Sequence, residues 1–401
     1  MSRHVLFLAD AFSSNYLSKD KTPFLYDCIG KGVYTEKIIP GVGFCERSEI
    51  FTGISSTKSG YLTAIGFSPK KSPYRNMGMM LKVISFVDTI FSFLPIVRKV
   101  MRRILSYYIY RTEHPLNPYQ IPFKLLKYFS LTEDYEDITK FNALGANSVF
   151  DEAVRNSKRI YHDSFTGLNK KNNGSDEDRL QMVLDESSGE YSLYLIYIST
   201  MDTIGHIYGP DSLETDEALA ALDNTLMNFV DRFEKIHPDS TYIFLGDHGM
   251  VKVDNHIDIN AIIKKMEYDL QLKLGLDYIY FLDSTMFRLW FFNDNVEVKI
   301  KSYLSNISEL AEKGIFHNNE LEFNLNKDTG DTIWYANSGV LINPDFFHLP
   351  NHVSLGMHGY LDCDKSGSYG MYIKFGNTVT LGTHKERHLH DIYHDILDAV
   401  S

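Results

Sequence analysis

Residues 191–210 read Tyr-Ser-Leu-Tyr-Leu-Ile-Tyr-Ile-Ser-Thr-Met-Asp-Thr-Ile-Gly-His-Ile-Tyr-Gly-Pro. The first nine form a nearly continuous apolar run, the pattern of a strand buried on both faces. Just beyond it, Asp202 and His206 stand four positions apart, and Gly205 and Gly209 permit a tight loop around them. Carboxylate and imidazole are both good ligands for zinc or a similar divalent ion. Taken alone, the pair reads equally well as an Asp capping a helix and a surface histidine.

Working outward, two further apolar runs end in the same way. Residues 4–9 (HVLFLA) lead into Asp10, and residues 241–245 (TYIFL) lead into Gly246-Asp247-His248-Gly249-Met250. Helical patterns fall between and after these runs, at 22–30, 46–52, 148–156, 216–236, 257–266, 296–311 and 388–400, with a strand at 33–39 and paired strands over 278–293. Buried strands alternating with helices predict an α/β fold with a mostly parallel central sheet flanked by helices. In such sheets ligands bind beyond the carboxyl ends of the strands. Asp10, Asp202 and Asp247 each follow such an end, so they are expected to converge on one crevice.

The 401 residues carry a net charge of −12, so no overall basic field attracts nucleic acid, and no nucleic-acid binding is expected. The three cysteines, Cys28, Cys45 and Cys363, are too few and odd in number for a disulfide framework. The opening residues hold too short an apolar run for a signal peptide. Together these features predict a cytoplasmic protein. Residues 67–140, rich in Pro, Tyr and basic side chains, read as an inserted amphipathic, basic cap on a core formed by 1–66 and 141–401. Within the cap, residues 79–111 are strongly apolar, yet Lys82, Asp88 and Pro95 interrupt them and Arg98, Lys99, Arg102 and Arg103 follow closely. A spanning helix needs about 20 apolar residues with few charges. The stretch is therefore read as amphipathic helices packed on the main domain, or as a peripheral contact with anionic lipid.

His358, between Met357 and Gly359-Tyr360, completes the set of possible ligands. Singly, His358 is a turn histidine and Asp10 a buried helix cap. Together, the order LAD at 8–10, Thr52-Gly53, DTIGHIYGP at 202–210, GDHGM at 246–250 and HGY at 358–360 resembles the alkaline phosphatase superfamily. The type I phosphodiesterase/nucleotide pyrophosphatase branch is the most similar, and GDTIWYANSGVLINP at 330–344 is also like it. The resemblance spans most of the chain outside 67–140. It implies an alkaline-phosphatase-like core and two divalent metal ions, usually zinc. Asp202, His206 and His358 would hold one ion, and Asp10, Asp247 and His248 the other. Two such ions, about 3.5–4 Å apart, clamp the attacking and leaving oxygens of an in-line displacement at phosphorus.

The resemblance also implies a nucleophile, Thr, Ser or Cys, at a helix start shortly before the Thr-Gly turn. An ungapped comparison of residues 39–53 puts Gly43 there. A shift of two makes Cys45 the nucleophile, activated by the helix N-terminus and a nearby metal. Alternatively a metal-bound hydroxide attacks, or the protein is inactive; Ser48 lies about a turn further along. Arg47 is a candidate phosphate contact. The segment loosely resembles the sulfatase helix but lacks C-x-P-S-R. The expected activity is metal-dependent hydrolysis, or transfer, at a phosphodiester or phosphomonoester of a small molecule, glycan or lipid. Sulfate ester hydrolysis and silent binding of a phosphorylated glycan or lipid are the alternatives.

Overall fold

A computed structural model describes residues 3–91, 94–112, 114–162, 174–318, 321, 323–349, 353–361 and 367–401. The chain forms two compact units: Met1–Ser59 with Glu136–Val253 and Ser354–Ser401, and Gly60–Tyr135 with Asp254–Val353.

The first unit is built on seven strands: β1 (His4–Ala9), β2 (Gly32–Ile39), β3 (Ile160–His162), β4 (Leu193–Ile198), β5 (Thr241–Gly246), β6 (Gly370–Phe375) and β7 (Gly382–His388). Their order across the sheet is β7-β2-β6-β5-β1-β4-β3. All pairings are parallel except the two made by β6. The sheet is thus mostly parallel, as the sequence predicts. Alternate side chains feed two cores. Val5, Phe7, Tyr194, Ile196 and Phe244 face one side, and Leu6, Leu8, Leu195, Ile243 and Leu245 the other.

Helices of this unit include α1 (Pro23–Ile29), α2 (Glu46–Thr52), α3 (Asp176–Asp185), α4 (Thr200–Tyr208) and α5 (Leu213–Ile236). Helix α5 starts where the Ser212 side chain accepts a hydrogen bond from the Thr215 N–H, and it buries Leu219, Leu222, Leu226, Phe229 and Phe233 at helical spacing against the first core. Helix α2, through Ile50 and Phe51, covers the second.

Two sequence expectations are revised. Asp202 and His206 lie on helix α4, not on a loop; the i, i+4 spacing puts both on one helix face. The expected helix over 388–400 is preceded by strand β7, and helix proper covers only Ile392–Leu397. GTHKERH lacks the apolar signal because β7 is an edge strand whose side chains are mostly exposed. Gly60–Tyr135, which holds most of the segment read as a cap, forms one unit with Asp254–Val353. That unit holds an antiparallel sheet of Tyr278–Leu282, Met286–Phe291, Thr332–Ala336 and Gly314–Phe316. Phe129 packs edge-on to Phe281 and Trp290, at 4.9 and 5.5 Å. The buried Arg288 donates to Asp283 Oδ2 at 2.7 Å and to the Ile65 carbonyl at 2.6 Å. Apolar packing and a desolvated cation therefore tie the two sequence segments together, a pairing no local pattern announces.

The junction of β4 with α4 has its own buried clamp. The Asp176 carboxylate, at the start of α3, accepts from Ser199 N and Thr200 N at 3.0 Å each and pairs with the buried Arg179. Arg179 donates in turn to the Tyr197 carbonyl at 3.0 Å and to Ser199 Oγ at 3.0 Å. Removing one partner of such a pair leaves a buried charge uncompensated, which costs about 3–5 kcal/mol. Asp176→Ala is expected to lower the unfolding free energy by that amount in urea titration. Glu297→Ala, which breaks an exposed pair with Lys301, should change it by less than about 1 kcal/mol.

Candidate metal centre

The site begins with strand register. Strand β1 pairs with β4 and β5 so that Ala9 lies opposite Ile198 and Gly246. The three strands end level, and Asp10, the start of α4 and Asp247 emerge side by side. Gly246 is obligatory there, because a Cβ would lie 1.9 Å from the Phe12 carbonyl oxygen.

Two trios of side chains converge: Asp202, His206 and His358; and Asp10, Asp247 and His248. In each, one potential ligand atom per residue falls within 4.8 Å of the others. The His248 and His358 rings stack at 4.0 Å with an 11° tilt, and so join the trios. Phe44 meets His358 edge-on at 5.4 Å.

The imidazoles are oriented from behind. His206 Nδ1 lies 2.8 Å from the Gly356 carbonyl and His248 Nδ1 lies 3.0 Å from the Gly249 carbonyl. A carbonyl can only accept, so each Nδ1 carries the hydrogen. Each Nε2 then points into the site, 3.0 Å from Asp202 Oδ1 and 3.1 Å from Asp10 Oδ1 respectively. This is the tautomer and backing of a metal-ligating histidine. Asp10 Oδ1 and Asp202 Oδ1 are buried with no hydrogen bond directed at them. Lone pairs of nitrogen and carboxylate oxygen thus face one another, which a divalent cation satisfies; the residues fit such an ion.

These groups shift one another's ionisation. Burial, opposed by the His248 charge and reinforced by Asp10, pushes the Asp247 carboxyl up to about 7. Burial opposes ionisation of Asp10 too, but the adjacent His248 outweighs it and holds that carboxyl well below the usual range. Burial pulls His248 down, yet the charges of Asp247 and Asp10 raise it above its usual range. His206 is raised, Asp202 overcoming burial. His358 is driven down by burial and by the charges of His248 and His206.

The remaining predicted residues lie differently. Cys45 caps α2 and is 2% exposed; it is not among the described residues lining the cavity beside the trios. Arg47 is half-buried on α2 and also not in that lining. Cys363 lies outside the described residues. Gly43 does line the cavity, with φ of 100°, a backbone conformation that disfavours a β-branched nucleophile such as Thr. Beside it stands Glu46, which the sequence reading passed over. Glu46 forms a third group with His248 and His358, its Oε1 4.0 Å from His248 Nε2. Burial, against His248 and with Asp247, pushes its carboxyl up to about 7. An acidic residue in a first helical turn ordinarily complements the helix dipole, so nothing in the sequence marks it out. Tyr197, which donates from its hydroxyl to Asp10 Oδ2, was equally hidden inside a strand.

Comparison with known proteins gives three findings. A profile of the type I phosphodiesterase/nucleotide pyrophosphatase family matches residues 106–361. GPI ethanolamine phosphate transferase 1 of Schizosaccharomyces pombe is 29% identical over 96 residues, 21% of this chain and 10% of that protein. Its counterpart from Yarrowia lipolytica is 24% identical over 127 residues, 31% of this chain and 13% of that protein. The chain thus spans only about a tenth of these curated relatives. Solved structures of human and murine ectonucleotide pyrophosphatase/phosphodiesterase 5 cover 100% of this chain and 95% of theirs, with TM-scores of 0.69 and 0.67 and identities of 16% and 15%. They share the fold.

Asp202→Ala and His206→Ala are each expected to lower the bound divalent metal measured by elemental analysis while keeping a native circular dichroism spectrum. The ligands must shed protons to bind metal. With the Asp247 carboxyl pushed up to about 7 and two ligand imidazoles raised, protons compete more strongly as pH falls. Zinc affinity, measured against a chromophoric chelator, should therefore drop at least about tenfold per pH unit below about 7.

Proposed function

The chain belongs to the type I phosphodiesterase/nucleotide pyrophosphatase family, whose members are phosphodiesterase-type hydrolases, and we propose that it displaces an alcohol or phosphate leaving group at phosphorus directly, without a covalent intermediate on a side chain. One divalent ion would be held by Asp202, His206 and His358 and a second by Asp10, Asp247 and His248; the mixed nitrogen and oxygen donors suit zinc. Bound there, such ions neutralise charge on the attacking and leaving oxygens of an in-line displacement. The observation that carries this reading is the inward aim of the His206 and His248 Nε2 atoms, each backed by a carbonyl and facing a carboxylate.

Support for direct displacement comes from what stands at the start of α2. Gly43 offers no nucleophile, and Cys45 is only 2% exposed. Glu46 lines the cavity and belongs to neither trio. It is placed to accept the proton of an attacking hydroxyl, a contribution typically of about 10²–10⁴ in rate. Tyr197 and the two backbone carbonyls hold Asp10 and the imidazoles in place throughout.

The attacking hydroxyl belongs to water in a hydrolase and to an alcohol in a transferase. The relatives named as GPI ethanolamine phosphate transferase favour the second version, with a phosphorylated glycan or lipid as substrate class.

Zinc-loaded protein is expected to release p-nitrophenol from bis-p-nitrophenyl phosphate. Cys45→Ala should retain its rate within about twofold, whereas Glu46→Gln should lose about 10² or more with its metal content intact. Loss of turnover in Cys45→Ala at full metal content would instead make the thiol the nucleophile. Mass spectrometry with added ethanolamine separates transfer, which yields the mixed diester, from hydrolysis, which yields only p-nitrophenyl phosphate.

A further inference from the structure

The helices Gly78–Ile90 and Pro95–Ile109 hold apolar side chains that the fold does not use. On the first, Met79, Val83, Phe86 and Ile90 recur at intervals of four, three and four, and so line one face; all are exposed, Met79 by 84% and Phe86 by 67%. On the second, Ile96, Val100, Ile104 and Tyr108 recur every four residues, and Ile104 is 63% exposed. Single exposed apolar residues are ordinary, but two full stripes on consecutive helices mark an interaction surface.

The opposite faces are occupied. Leu81, Leu105 and Ile109 are buried, and the Arg102 guanidinium donates to the Pro118 and Ile121 carbonyls at 2.9 and 3.2 Å. Arg98 and Asp88 join the two helices by paired hydrogen bonds of 2.7 and 3.1 Å. The stripes are thus presented by a braced helical pair rather than by frayed chain.

Charge identifies the occupant. The chain as a whole carries −12, yet residues 78–111 contain six basic side chains and one acidic. Lys99 and Arg103 are exposed and flank the Ile96–Val100–Ile104 stripe, where their stems can lie along apolar surface while the charges stay wet. Tyr107, Tyr108 and Tyr110 cluster at the end of the second helix, the residue type enriched at membrane–water boundaries. Among the described residues no helix is long and apolar enough to cross a membrane.

We propose that the helices Gly78–Ile90 and Pro95–Ile109 lie in the surface of an anionic phospholipid bilayer, apolar stripes inserted at the headgroup boundary and basic residues against the headgroups. This holds independently of the reaction catalysed at the metal centre.

The full chain is expected to sediment with vesicles of equimolar phosphatidylcholine and phosphatidylglycerol, to be released by high salt, and to stay in solution with phosphatidylcholine alone. Lys99→Gln and Arg103→Gln should each lower the partition coefficient about fivefold, the equivalent of about 1 kcal/mol per basic residue. Phe86→Glu combined with Ile104→Glu should abolish binding while circular dichroism stays unchanged, since both positions face solvent. Absence of wild-type binding, or undiminished binding by the double variant, would overturn the proposal. Concentration-dependent dimerisation in light scattering, lost in the double variant, would give the face to a second copy of the chain instead.

Discussion

The centre of this protein depends on one constraint: β1 pairs in parallel register with both β4 and β5, so that Ala9, Ile198 and Gly246 end level. A shift of two residues in either ladder would keep every side chain on its proper face. It would also move a ligand roughly 6–7 Å along the strand. The apolar runs alone therefore do not hold the site. The buried Asp176–Arg179 clamp fixes where β4 becomes α4, and the close approach of Gly246 to Phe12 fixes the exit of β5.

On this frame the site gathers charges that would otherwise repel. Three carboxylates, Asp10, Asp247 and Glu46, surround one imidazole, and burial raises two of them while His248 holds down the third. Desolvation of like charges is costly unless a cation compensates. The backbone carbonyls of Gly249 and Gly356 choose the imidazole tautomers, so that the nitrogen lone pairs add to the oxygen ones instead of shielding them. What destabilises the site as an isolated cluster is what suits it to bind a dication.

The two units divide the electrostatic work. The first gathers Asp10, Asp202, Asp247 and three imidazoles at the strand ends. The second carries, within an acidic chain, a helical pair that is both basic and apolar on its exposed side. Neither property follows from the other, and each is set by residues within its own unit.

Much of this was legible in the residues themselves. Buried strands announce themselves by continuous apolar runs, and Asp10, Asp202 and Asp247 by following them. His206, His248 and His358 were found by their spacing and their glycine neighbours. These are local signals, since burial and turn chemistry act over a few residues. What the chain order could not express was pairing across long separations. Strand β7 hides behind polar side chains because its place at the sheet edge, not its composition, makes it a strand. Gly60–Tyr135 joins Asp254–Val353 through Arg288 and a few aromatic contacts. Glu46 reads as a helix-dipole partner until α2 is placed on the sheet, where it lines the cavity while Cys45 is left 2% exposed. The sequence by itself determined which residues could bind a metal, because that is a property of their chemistry. Only the tertiary structure decided which of them face one another, because a side chain's direction is set by the packing of the element that carries it.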